Sequence, residues 1–236
     1  MLNIYKYINC SVSDTRANMT RTLLAILLVT MGIRLSHLST TIEKPTKSLT
    51  LFDFGNVRDL SKDWSELSDT VRAEGKSKAS FDVYKTSKAQ SAILFTLVNP
   101  QPNGAGFCGV RTTRQQLNLN GYDYIHFVCR PKGNATRYKI VLRHNNENNE
   151  PHPSFEQQFQ VTLDTENTVE LPLKKFKPYY RGKPLDDGPT LNVENITAFG
   201  IQVAGGVYDT FKQSGLSSLE LDRISVRANP DETSQN

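Results

Sequence analysis

Residues 103–112 read NGAGFCGVRT, and the fold turns on how their glycines are read. GAGFCG has the spacing G-x-G-x-x-G, and Asp123 follows at a distance that fits a dinucleotide-binding unit. That fingerprint requires a strand, a glycine turn and then a helix whose unpaired N–H groups receive the pyrophosphate. Here VRTTRQQLNLNG follows, which is too short and too poorly patterned to pack a helix on a parallel sheet, and NLNG ends it. No βαβ repeat occurs elsewhere in the chain. Three glycines within six residues therefore read as a twisted or bulged strand that another backbone approaches closely.

Outward from this stretch the hydrophobic period is two. In FEQQFQVTL, Phe155, Gln157, Phe159, Val161 and Leu163 share one face, and Glu156, Gln158, Gln160 and Thr162 the other. RYKIVLR places Tyr138, Ile140 and Leu142 opposite Arg137, Lys139 and Arg143. TVELPL and FGIQV alternate in the same way, which is the pattern of half-buried antiparallel strands. SAILFTLV (91–98) is apolar on both parities, the expectation for a central strand covered on both faces. SLELDRISV (218–226) buries Leu219 and Leu221 and then switches to Ile224 and Val226, which predicts a bulge. Turn-forming clusters of Asn, Gly, Pro and Asp separate these runs, as in NPQPNG, NLNGYD, RPKGN and LDDGP. About ten short strands spaced this way predict an all-β sandwich of jelly-roll type. The expected organisation is a leader over 1–46, a single sandwich domain over 47–227 and a loose polar tail over 228–236.

The chain has 236 residues and a formal net charge of +4. Most of that charge lies in residues 1–46, where Lys6, Arg16, Arg21, Arg34 and Lys44 face only Asp14 and Glu43. The body is balanced, so nothing in it favours a polyanion, and no nucleic-acid partner is expected. Cys10 lies in the leader, and Cys108 and Cys129 are too few for a disulfide framework, so they read as small buried apolar residues. The leader holds one apolar run, LLAILLVTMGI (23–33), about 16 Å of helix against a bilayer core of about 30 Å. It is too short to span unaided, so any membrane association is peripheral. It fits a secretory signal within residues 19–41, while its scarcity of acids and its Arg, Ser and Thr fit a mitochondrial presequence. Sequons at Asn9, Asn18, Asn134 and Asn195 do not decide between the two.

Signatures of catalysis are missing: the chain has no G-x-S-x-G, H-E-x-x-H or P-loop and no cysteine pair at metal spacing. A non-enzyme without cofactor or metal is the expectation. His144 and His152 flank a loop with Glu147 and Glu150, which reads as solvated rather than metal-binding.

The order LFDF (51–54), WSELSDTVRAEGKS (64–77), GFCGVRT (106–112), LNGYDYIHFVCRPKGNATRYKI (119–140), KKFKPYYRGKPL (174–185) and LELDRI (219–224) resembles the complex I intermediate-associated protein 30 family. The resemblance covers residues 48–227. Two departures stand out: Glu74-Gly75 replaces a double glycine, and Lys132-Gly133-Asn134-Ala135-Thr136-Arg137 replaces a glycine–aspartate–glycine–arginine turn, where only Gly133, Arg137 and Tyr138 carry over. The resemblance implies a galactose-binding-like sandwich and a chaperone role in assembling the membrane arm of mitochondrial respiratory complex I. The partner would be an assembly intermediate, on the matrix side or at the inner membrane. The alternative is a secreted or lumenal module that binds carbohydrate or protein.

Asp69, Arg111, Arg137 and Arg181 fall in the family-like motifs, as holders of loops or as a polar docking patch. Trp64, the only tryptophan, reads as core or as a stacking platform. Tyr179 and Tyr180 beside Arg181 have the composition of an interface anchor. Residues 176–182 are therefore expected to form part of a protein-binding edge.

Overall fold

The computed structural model describes residues 47–102 and 104–229. The expected leader, with its targeting signal, and the tail from residue 230 onward lie outside the described residues. The elements in chain order are β1 (Ser48–Asp53), β2 (Ser65–Ser68), β3 (Lys78–Lys85), β4 (Gln90–Val98), β5 (Phe107–Thr112), β6 (Tyr124–Gly133), β7 (Arg137–His144), β8 (Ser154–Gln160), β9 (Asn167–Pro172), β10 (Lys177–Tyr180), β11 (Lys183–Pro184), β12 (Ile196–Ala204) and β13 (Gly215–Arg227). Among the described residues helix is confined to two short 3-10 turns, Asp69–Val71 and Leu173–Lys175. Among the described residues no helix is long and apolar enough to cross a membrane.

The strands form two antiparallel sheets. One has the order β3-β4-β13-β6-β9, with β1 also pairing β13. The other runs β11-β10-β8-β7-β12-β5-β2. The predicted alternation puts the inner residues of both sheets into one core. Tyr138, Ile140 and Leu142 of β7 face it, as do Phe199, Ile201 and Val203 of β12 and Val169 and Leu171 of β9. Trp64 lies in that core too. Its ring packs edge-on against Phe52 and Phe81, both with centroids at 5.1 Å, and Phe199 lies at 6.3 Å. The reading of Trp64 as a ligand-stacking platform is therefore corrected, because only 6% of the residue reaches solvent.

β13 is the spine of the six-stranded sheet. Its first half pairs β4 and its second half pairs β1 along the same edge, with β6 running along the other. The predicted bulge lies between Leu221 and Ile224, where the register with β6 shifts. The extra residue flips the parity, so Leu219, Leu221, Ile224 and Val226 all point inward. Arg130 holds the bulge from outside by donating from both Nη atoms to Asp222, at 3.1–3.2 Å.

One expectation needs adjustment. β4 is internal to its sheet, but only one of its faces is covered. Ala92, Leu94 and Val98 are buried, whereas Phe95 and Leu97 on the outer face are exposed. The apolar parity of SAILFTLV predicts a second covered face, and within the described residues nothing covers it. Gln157 does take the core parity with Phe155 and Phe159, as its position dictates, and its Oε1 has no hydrogen-bond partner among the described residues.

Of the glycines in residues 104–109, only Gly109 lies in β5, while Gly104 and Gly106 sit in the loop that leads into it, both with positive φ. Gly109 pairs Leu67 on one side and Gln202 on the other. A Cβ there would sit 2.1 Å from the Ile201 carbonyl oxygen and 2.7 Å from the Gln202 Cα, so β12 can lie this close only against a residue without a side chain. Gly109→Ala is expected to force β5 away from β12 and to lower the unfolding free energy by about 2–3 kcal/mol in urea titration. A wild-type midpoint for this variant contradicts the strand reading.

Candidate functional site: the outer face of the seven-stranded sheet

The sequence candidates divide according to which side of the seven-stranded sheet they occupy. Asp69 is fully buried at the end of β2. Its Oδ1 accepts from the Ser77 backbone N–H at 2.9 Å, and its Oδ2 accepts from the Ser77 hydroxyl at 2.7 Å and the Phe107 N–H at 3.3 Å. Gly75 lies against this turn, where a Cβ would approach the Asp69 carbonyl oxygen to 2.0 Å. Asp69 thus staples three segments together and is closed to a partner.

The outward parity of β5, β12, β7 and β8 builds the surface that remains. Arg111 sits opposite Gly200, Gly200 opposite Val141, Val141 opposite Glu156, and Glu156 opposite Lys177. The neighbouring row runs Gly109, Gln202, Lys139, Gln158. Gly109, Ala198 and Gly200 leave the middle of this face without long side chains. Val141 and Gln202 point away from the core, yet they are only 8% and 5% exposed, so they form the floor of a depression.

Charged groups stand around that floor in fixed positions. Lys139 Nζ donates to Glu156 Oε2 at 2.6 Å, with both side chains largely enclosed, and Ser154 Oγ donates to the other oxygen of Glu156 at 2.9 Å. Arg111 donates from Nη1 to the Asn148 carbonyl at 2.9 Å and from Nη2 to Asn149 Oδ1 at 3.0 Å. Arg143 Nη1 donates to the carbonyls of His152 at 2.9 Å and Glu147 at 3.2 Å. The two guanidiniums therefore tether the 145–153 loop to the sheet. Burial lowers the pKa of each, and at Arg143 the charge of Arg111 adds to the effect. Arg181 extends the same rim by donating to Glu150 Oε2 from Nε at 3.1 Å and Nη2 at 2.7 Å, a solvent-screened pair. Tyr179 is half-buried, and its pKa is raised by burial first and then by the charge of Glu156.

Of the seven candidates, Arg111 and Tyr179 thus lie on this face and Arg181 at its rim, while Tyr180 has the other parity in β10, its ring centre 5.4 Å from the Arg181 guanidinium. Arg137 lies at the other end of β7, its guanidinium 4.0 Å from the centre of the Phe211 ring. Lys139, Arg143, Glu150, Glu156 and Gln202 were not among the candidates. Parity had marked Lys139, Arg143 and Glu156 as outward. That Glu156 stands beside Lys139 follows from the β7–β8 register, which no local motif encodes.

The pattern of the complex I intermediate-associated protein 30 family matches residues 52–221. The chain belongs to that family. A Schizosaccharomyces pombe relative, itself uncharacterised, is 29% identical over 179 residues, covering 72% of this chain and 78% of the relative. In three dimensions the chain resembles a family 11 carbohydrate-binding module of a cellulosomal cellulase from Clostridium thermocellum, with a TM-score of 0.56 at 16% identity, over 79% of this chain and 97% of the module. A second structure of the family 11 module from that organism, in complex with a β-1,3-1,4-mixed-linked tetrasaccharide, gives 0.55 at 16% identity over 78% of this chain and 98% of that one. The fold is therefore the jelly-roll sandwich expected from the sequence. Seen as a member of the complex I intermediate-associated protein 30 family, the chain places its family-like Arg111 and Arg181 at the rim of the depression and its family-like Asp69 beneath the sheet.

Cys108 and Cys129 are free and fully buried, and burial pushes each thiol up to about 12. Both are held as protonated thiols of low reactivity. His144 is buried against Phe155, with ring centroids 4.6 Å apart, and its Nδ1 accepts from the Asn192 N–H at 2.7 Å. Glu147 Oε2 lies 3.8 Å from His144 Nε2 and 3.5 Å from His152 Nδ1. Among the described residues no group of three His, Cys, Asp or Glu side chains is arranged to hold a metal.

Two measurements test these assignments. Asp69→Ala leaves three donors buried without their acceptor and is expected to lower stability by about 3 kcal/mol. A loss below about 1 kcal/mol contradicts the staple. His144 has a lowered native pKa, chiefly through burial, so as pH falls the unfolded chain takes up its proton first. Stability is then complete above the unfolded value of about 6.5 and declines as pH drops toward the lowered native value. His126 contributes in the same direction. His144→Gln is expected to make the urea midpoint less pH-dependent between pH 7.5 and 5.5, and an unchanged slope contradicts the assignment.

Proposed function

We propose that this protein is a non-catalytic docking module of the assembly-factor type, which holds an intermediate of respiratory complex I through the outer face of the seven-stranded sheet. The family match over residues 52–221 carries this reading. The character of the face supports it. Arg111, Arg143, Lys139 and Glu156 are held by hydrogen bonds before any partner arrives, so little side-chain freedom is lost on docking. Tyr179 and Arg181 supply residue types enriched where protein interfaces concentrate their energy. In this reading the chain docks reversibly on a partly assembled membrane subcomplex and shields its surface until the next subunit binds. The compartment is the mitochondrion, on the matrix side or at the inner membrane, with peripheral contact to the bilayer.

Asn195 bears on the compartment. Its Nδ2 donates to Asn145 Oδ1 at 3.1 Å and its Oδ1 accepts from Gln116 at 2.6 Å, so a glycan on Nδ2 would compete with the bond to Asn145. Asn134, by contrast, is exposed.

A second reading, a module that binds carbohydrate, draws on the likeness to the family 11 modules, one of them solved with a tetrasaccharide. At 16% identity that likeness extends to the fold. Sugar recognition commonly sets an aromatic ring flat against the ligand, and Trp64 is buried in the core.

The test uses cells depleted of the protein. Membrane-arm intermediates of complex I, resolved on native gels, are expected to stall and to be restored by the wild-type chain. Gln158→Glu with Lys177→Glu, on the exposed part of the face, is expected to restore them at least five-fold less well at equal protein level. Tyr179→Ser with Tyr180→Ser should act alike. Normal complex I in depleted cells, with saturable glucan binding by the purified chain, would overturn the assembly reading in favour of the second.

A further inference from the structure

The outer face of the six-stranded sheet has a different character from the site above. Phe95 and Leu97 project from β4, and Leu216 projects from β13 beside Leu97, its register partner. They are 46%, 38% and 69% exposed. β4 and β13 are interior strands, so this apolar surface lies mid-sheet and not along an edge. With Ala79 of β3 they line a shallow groove of about 480 Å³. The cations at the groove are Lys78 of β3 and Lys132 of β6, and no carboxylate lines it. Lys78 has only a loose, exposed partner in Glu66 at 3.4 Å, and Lys132 makes no ion pair among the described residues.

Further along the same face Asp82 of β3 and Glu170 of β9 make no ion pair among the described residues, and the other acids are held. Glu220 accepts from Ser91 Oγ at 2.8 Å, and Asp222 and Glu166 are held by Arg130. The groove end of the face is therefore apolar with two lysines and no lining carboxylate, while the acids lie at the far end. Register partners in an antiparallel pair stand about 5 Å apart, and residues i and i+2 on one strand about 7 Å apart. Phe95, Leu97 and Leu216 thus form one patch, wide enough for two or three inserted side chains.

We propose that this groove is a second docking surface, for a short acidic amphipathic segment of a partner protein. The segment's apolar side chains would pack on Phe95, Leu97 and Leu216, and its carboxylates would meet Lys78 and Lys132. Contiguous exposed apolar residues on a folded chain mark interaction sites. Here Lys132 and the loosely paired Lys78 set the sign of the partner, because like charges placed opposite them would be rejected. This surface lies on the opposite sheet from the polar depression and does not depend on the assembly reading.

The test titrates the full-length chain into a fluorescein-labelled twelve-residue peptide that alternates Leu or Phe with Glu. Its twin carries Lys in place of every Glu. Anisotropy is expected to show saturable micromolar binding of the acidic peptide and at least ten-fold weaker binding of the twin. Phe95→Ser with Leu216→Ser should weaken binding at least ten-fold, as should Lys78→Glu with Lys132→Glu. Both pairs of changes lie on the surface, so the thermal midpoint should stay at the wild-type value. Equal binding of the two peptides, or unchanged binding by either double variant, would overturn the proposal. So would co-sedimentation with anionic phosphatidylserine vesicles that depends on Phe95 and Leu216, or a dimer abolished by Leu216→Ser.

Discussion

A β-strand has two faces, and in this chain one face of nearly every strand is committed to the space between two sheets. Everything else follows from that commitment. Core positions along β4, β7, β9, β12 and β13 take Leu, Ile, Val, Phe and Tyr, which leave water by packing against the opposite sheet. The backbone must also adjust wherever alternation fails. At the β13 bulge one extra residue returns Ile224 and Val226 to the core, and Arg130 clamps the bulge from outside. At Gly109 the missing side chain lets β12 and β5 approach. Asp69 is a buried carboxylate that works because three donors meet it, two of them backbone N–H groups.

With the inner faces occupied, recognition is left to the outer ones, and these differ between the sheets. The seven-stranded sheet presents small residues at its centre and tethered charges at its rim. That combination gives a polar depression whose side chains are held in place. The six-stranded sheet presents an apolar patch between lysines. A sandwich with two dissimilar faces offers surfaces for two dissimilar partners. The same architecture serves carbohydrate-binding modules at 16% identity. What the fold supplies is therefore a pair of faces, and their side chains decide the partner.

The layered fold was legible because period-two patterning is local and each strand announces its own inner face. The bulge was legible too, since a parity switch within LELDRIS can be read without knowing which strands pair. Family membership rested on ordered motifs and could also be read. The site was only half legible. Arg111 and Arg181 were recognisable from their motifs, but Lys139 and Glu156 meet only through the β7–β8 register, a relation between distant parts of the chain. Trp64 was ambiguous because aromatic residues serve cores and interfaces equally well. SAILFTLV misled for a related reason: an apolar outer parity looks the same whether another layer of the same protein covers it or nothing does.

Hydrogen–deuterium exchange of the full chain, alone and with isolated complex I assembly intermediates, tests the central claim that recognition belongs to the outer faces of a preformed sandwich. The account predicts slow exchange throughout β6, β7, β12 and β13 in the free protein. It further predicts that added intermediates deepen protection in β7, β8 and the 145–153 loop. Rapid exchange of those strands in the free chain, or protection confined to the β3–β4 turn and the ends of the sandwich, would contradict it.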